Sequence, residues 1–173
     1  MDETLGINDL RNRAGTYLSP FHSVLGLTHA EPMVNVRLQP RQLTDGNGRR
    51  CAAPGVTVTI GFNALRVYLA RELDNPCRRD IVYRHEMEHV SAWRDHFRAG
   101  ARLLLPLMQT DLAGPYDIES ESDEDEAALR QRVEARLVPL LRRLEDGVAA
   151  AQRAIDSPAS YQGVENRLRG CPP

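Results

Sequence analysis

"YRHEMEHVSAW", residues 83–93, decides how the rest of the chain is read. It sets His85, Glu86 and His89 in the order H-E-x-x-H. Asp80 offers an N-cap, and from Ile81 onward the pattern is helical, so a helix is predicted over residues 79–105. Residues four apart on an α-helix differ by about 40° in direction and about 6 Å in height. His85 and His89 can therefore each turn an imidazole nitrogen toward one Zn²⁺ at about 2 Å. Glu86 lies one step further round, where it reaches a water on that ion without being a ligand. Zinc lowers the pKa of such a water toward ~7, and a neighbouring carboxylate can take its proton as the water attacks a carbonyl, then pass it to the departing amine. One turn of helix would supply two ligands and a general base. The plainer alternative is a helix whose His and Glu side chains are only solvated or packed. Five His and twelve Glu among 173 residues would give the pattern by chance in about one such chain in a hundred.

"HEMEH", residues 85–89, resembles the signature of the zincin metallopeptidases, and the order of elements is similar: strands, then the motif helix, then more helix. The resemblance implies a zinc-dependent peptidase or amide hydrolase with His85 and His89 as metal ligands and Glu86 as the catalytic base. It implies a peptide, protein or peptidoglycan-like amide as substrate. It also implies that an edge strand ahead of the motif helix lines the cleft and pairs with an extended peptide, a role open to "VYLA" (67–70) or "VTVTI" (56–60).

The third ligand stays open. In the metzincin branch a Gly bends the chain before a third ligand; here Ala92 stands at that Gly, with Asp95 at the ligand position and His96 one later. On an unbroken helix Asp95 and His96 lie about 9–10 Å along the axis from His89, too far for a shared ion. Met108 does not match the metzincin Met turn. The gluzincin branch takes a Glu from a later helix and fits better. Glu126 lies at the centre of the apolar stripe of the long helix predicted over 123–156, Glu134 and Glu145 lie on its edge, and Asp146 points away. Antiparallel pairing would bring the neighbourhood of Glu145 closest to His85. Asp156 reads as a helix-end or cap residue. Tyr116 and Tyr161 are candidate oxyanion donors, with packing the competing role for each. Arg84 and Glu88 should face water, and Trp93 should be core.

Outward from the motif, an α+β fold is predicted: a small N-terminal β-hairpin or sheet, the motif helix, and a long C-terminal amphipathic helix, in one domain over 1–173. Residues 1–30 read as a short helix or loop. Strands fall within 34–75: "VNVRL" (34–38) alternates, and "VTVTIGFNALRVYLA" (56–70) reads as two strands around a turn near Phe62 and Asn63. "QPRQLTDGNGRRCAAPG" between them should be an exposed loop. Gly100 and Pro106 are candidate interruptions of the motif helix. "DIESESDEDE" does not have the spacing of an EF-hand loop and reads as a solvated helix start, with Asp123 and Glu126 as a capping box. Leu129, Val133, Leu137, Leu140, Leu144, Val148, Ala151 and Ile155 then form one stripe that should pack on the motif helix. In the tail, 157–173, Ser157 caps a short helix with Pro158 in its first turn.

Composition bounds the function. At 173 residues the chain suits one ordinary domain. A net charge of −2 gives no basic field for nucleic acid, and no apolar run approaches the ~20 residues of a membrane span. All 22 cationic side chains are Arg, which an arginine-biased genome explains. Cys51 would lie opposite roughly residue 75 in the predicted hairpin, close enough to Cys77 for a disulfide, with Cys171 left over or bridging to one of the two. Such a bridge would favour a secreted or periplasmic setting, although "MDETLGINDL" does not resemble a signal peptide. Two further functions are open: a non-catalytic, metal-stabilised binding protein, and a metal-free helical interaction module using the Leu129-to-Ile155 stripe.

Overall fold

A computed structural model of the chain describes residues 1–14, 24–39, 42–44, 46–48, 50–52, 55–111, 116–117 and 123–173, with the backbone alone at 42–43, 50–52, 111, 116–117, 123–126, 129 and 132. The fold is α+β: α1 (Ile7–Ala14), β1 (Gly26–Gln39), β2 (Gln42–Thr44), β3 (Arg50–Ala52), β4 (Gly55–Leu69), α2 (Pro76–Asp111), β5 (Tyr116–Asp117), α3 (Asp123–Ile155) and α4 (Pro158–Arg169). β1 pairs antiparallel with β4. β2, β3 and β5 form a separate antiparallel sheet, with Leu43 opposite Cys51 and Cys51 opposite Asp117. The chain forms two compact units, Met1–Pro32 with Phe62–Asp95 and Val148–Pro173, and Met33–Gly61 with His96–Gly147.

The expected turn near Phe62 and Asn63 is absent. Residues 55–69 are one continuous strand, and the hairpin is made by β1 and β4 instead. A two-residue hairpin turn needs positive φ, and among the described residues only Gly48 has it. The apolar positions do change parity here. Val56, Val58 and Ile60 pack in the core of the second unit, around Leu104, Val133 and Leu137. Leu65, Val67 and Leu69 pack in the core of the first, around Leu10, Val82 and Val90. The even-to-odd switch therefore marks where the strand passes from one core to the other, between Gly61 and Phe62. Leu10 and Leu69 are almost completely excluded from solvent, each contributing about 1.5–3 kcal/mol by burial.

The segment expected as an exposed loop carries β2 and β3, joined through the turn at Gly48 (φ 79°), whose left-handed backbone suits glycine. "VNVRL" is the latter part of β1, which begins at Gly26.

α2 begins earlier than Asp80 would set it. Asn75 Oδ1 accepts from the Cys77 and Arg78 amides at 2.9 and 3.2 Å, and Pro76 follows at the first helical position. Asp80 is instead an exposed partner of Arg84, 2.8 Å away one turn on. Neither Gly100 nor Pro106 interrupts α2. A Cβ at Gly100 would stand 2.8 Å from the Leu144 methyls, so glycine lets α3 approach closely there. Ser157 caps α4 as read from the sequence, its Oγ accepting from the Ser160 amide, with Pro158 in the first turn.

The disulfide joins Cys77 to Cys171, not Cys51 to Cys77. The expected pairing rested on the missing turn; Cys51 lies instead in β3, between β2 and β5. The last helix returns the chain to the start of α2, where Asn75 Nδ2 also donates to the Pro172 carbonyl at 2.8 Å. Among the described residues no helix is long and apolar enough to cross a membrane.

Candidate metal centre

Helical spacing puts His85 and His89 on one face of α2, and both are buried, as is Glu86. Their rings meet edge to face with centroids 5.0 Å apart. Opposite them stands Asp156, the first residue beyond α3, at the corner before the Ser157 cap of α4. Asp156 Oδ1 lies 3.1 Å from His89 Nε2 and 3.5 Å from His85 Nε2, and accepts from the Tyr161 hydroxyl at 2.9 Å. His85, His89 and Asp156 can each offer one ligand atom, all within 4.8 Å of one another.

This spacing fits a small divalent cation. Two ligand atoms 2.0–2.1 Å from a tetrahedral Zn²⁺ are about 3.3–3.4 Å apart, close to the two His–Asp separations. Nδ1 of His89 is hydrogen-bonded to Gln152 Oε1, and Gln152 Nε2 donates to the His89 carbonyl at 3.1 Å. The ring is thus fixed with Nε2 directed at Asp156. Without a metal both ring nitrogens face acceptors, the arrangement of an imidazolium; a cation would take the place of the Nε2 proton. His85 lacks such an anchor, since its buried Nδ1 has no hydrogen-bond partner.

The electrostatics follow from burial and from this convergence. Burial pushes the Glu86 carboxyl up, against the downward pull of His89, Thr28 and His85. Burial works against charge on His89, but the hydrogen bond and charge of Asp156, with help from Gln152 and Glu86, raise it overall. Burial would also raise Asp156, yet the hydrogen bonds from His85 and His89 outweigh it and hold the carboxyl far below the usual range. Burial and the Asp156 carboxylate push the Tyr161 phenol up.

A cavity of about 830 Å³ opens over these residues, walled by Leu25, by the start of β1 from Gly26 to Ala30, and by Trp93, Arg153 and Glu165. The strand at the cleft is therefore β1, and neither "VYLA" nor "VTVTI". Val67 to Ala70 are buried, with Asp2 bridged alongside Tyr68, and Val56 to Ile60 belong to the second unit.

The other ligand candidates are elsewhere. Asp95 is exposed. His96 is half-buried beside Gly147, and Glu134 and Glu145 are exposed; all three lie in the second unit. The side chains of Glu126 and Tyr116 lie outside the described residues. α2 and α3 do pair antiparallel, His85 with Asp156 and His89 with Gln152. Asp156, however, stands where the sequence put Glu145, eleven residues earlier. Arg84 and Glu88 face water as expected. Trp93 is half-buried, edge to face with Phe62 at 5.8 Å.

Sequence reasoning passed over Gln152, Thr28 and Gly26. Gln152 had a signal: with Asp156 it forms a Q-x-x-x-D pair matching the H-x-x-x-H pair it faces. Comparison with protein-family models, with curated proteins and with solved structures gives no match, so the reading of this centre rests on its own geometry.

Proposed function

We propose that this chain is a zinc-dependent hydrolase of the zincin kind that cleaves peptide or other amide bonds. The observation that carries the reading is the convergence of His85, His89 and Asp156 on one point, with the buried carboxylate of Glu86 beside them in the wall of a cleft. His85 and His89 would hold the ion through Nε2 and Asp156 through Oδ1. A zinc ion held there supplies Lewis acidity, activating water and polarising a carbonyl. Glu86 takes the proton released as water adds to the substrate carbonyl and delivers it to the leaving amine. Burial pushes that carboxyl up, which makes it a better proton acceptor than an exposed glutamate. Gln152 orients His89. The Tyr161 hydroxyl, beside the His85 ring with centroids 5.6 Å apart, can turn toward the developing oxyanion. The wall formed by β1 offers backbone for an extended peptide to pair with. Peptides, proteins and peptidoglycan cross-links all present the carbonyl this chemistry needs, and the Cys77–Cys171 bridge favours a secreted or periplasmic setting.

The test combines elemental analysis with one substitution. The purified protein should carry one equivalent of zinc and release peptides from fluorescein-labelled casein or muropeptides from sacculi. Glu86→Gln should keep the metal and reduce turnover at least about a hundredfold. Zinc retained with turnover unchanged in that variant overturns the mechanism. The close contact of Asp156 with the two imidazoles favours a second reading, a metal-stabilised binding protein that does no chemistry. It predicts a melting temperature that falls on chelation and a Glu86→Gln variant with no functional loss.

A further inference from the structure

Glu86 is held by a residue outside its own helix. Thr28, on β1, places its hydroxyl 2.8 Å from Glu86 Oε2 and 3.1 Å from the Glu86 carbonyl. Two residues earlier on the same face of the strand, Gly26 meets the other side of the carboxylate. A Cβ there would lie 2.6 Å from Glu86 Oε1 and 2.7 Å from Val82 Cγ1, so only glycine lets the strand pass this close. A charged, almost solvent-free carboxylate is costly to bury unless hydrogen-bonded, and Thr28 is its hydroxyl donor.

Resting on the zinc-hydrolase reading above, we propose that Thr28, seated by Gly26, is the positioning residue of the general base. The hydroxyl has one proton and donates it to Oε2. That fixes the carboxylate plane and assigns its two oxygens different roles. Oε2 is anchored, and Oε1 accepts no hydrogen bond among the described residues and is free to receive the proton from water and return it to the amine. That same bond ties strand to helix, so the wall that would bind substrate and the base that would act on it move as one body. A substrate strand laid along β1 is thereby placed at a fixed distance from Oε1. Thr28 does not touch the reacting atoms; it acts through Glu86.

The test compares Thr28→Val, which keeps the shape and removes the hydroxyl, with Thr28→Ser, which restores it. Zinc affinity, by competition with a chromogenic chelator, should be the same in all three proteins, because no ligand changes. Binding of acetohydroxamate to the cobalt-substituted protein, followed by the cobalt absorption bands, should weaken about tenfold in Thr28→Val, since a hydroxamate needs the carboxylate beside the metal in register. It should return in Thr28→Ser. On labelled casein kcat should fall about tenfold in Thr28→Val with KM little changed, and recover in Thr28→Ser. Hydroxamate affinity equal in wild type, Thr28→Val and Thr28→Ser overturns the proposal while leaving the metal site standing. A wild-type protein that takes up neither zinc nor cobalt overturns the hydrolase reading, and the role of Thr28 falls with it.

Discussion

His89 Nε2 and Asp156 Oδ1 stand 3.1 Å apart although the two residues are 67 positions apart in the chain. That contact closes the candidate metal centre. Asp156→Asn keeps the size of the side chain and removes its charge. It should weaken zinc binding by at least about a hundredfold, measured by chelator competition, while circular dichroism stays that of the wild type.

Gln152 touches His89, so it would act on a bound ion only through that ring. Gln152→Ala should cost about 10–100-fold in zinc affinity, the usual effect of removing an outer-shell anchor. Arg153→Ala, on the exposed cleft wall one residue on, should leave zinc affinity unchanged.

The metal-free protein should show a pH window set by the same contact. The Asp156 carboxyl is depressed from its ordinary 3.8, so its contribution is present above that value and lost as pH falls through the lower folded value. His89 is raised from 6.5, so its contribution is complete below that value and lost as pH rises through the higher folded value. With chelator present, the melting-temperature difference between wild type and Asp156→Asn should be greatest between about pH 4 and 6.5 and shrink on either side. Zinc affinity should rise with pH across the upper edge of that window, as the proton on His89 ceases to compete.

The Cys77–Cys171 bridge closes a loop with a sequence separation of 94. Cys77→Ser with Cys171→Ser, or reduction of the wild type, should lower stability by about 2–5 kcal/mol in urea denaturation. The bridge and the Asn75–Pro172 contact both pin the segment after α4. Zinc affinity should therefore fall less than stability, because Asp156 precedes α4 and keeps its contacts with α2.

Local signals carried much of the fold. The helical run around His85, the stripe from Val133 to Val148 and the Ser157–Pro158 start of α4 are all statements about neighbours in sequence, and periodicity and capping chemistry encode them. The register between α2 and α3 is not of that kind. Eleven residues make just over three whole turns, so sliding α3 from Glu145 to Asp156 leaves nearly the same face toward α2. Only long-range contacts such as the fit of Leu144 at Gly100 choose between the two. The Cys171 bridge depends likewise on where α4 returns. Thr28 and Gly26 carry no local mark at all, because their meaning comes from Glu86, 58 residues on from Thr28.

The parity change in β4 gives that strand a phase, in the sense that a wave has one. Val56, Val58 and Ile60 count in even steps and Leu65, Val67 and Leu69 in odd. Replacing a residue at the crossover leaves the count intact, whereas deleting Asn63 would turn every later side chain to the opposite side. The crossover therefore tolerates an exchanged side chain better than a lost residue, and a single-codon deletion there should yield insoluble protein where Asn63→Ser does not.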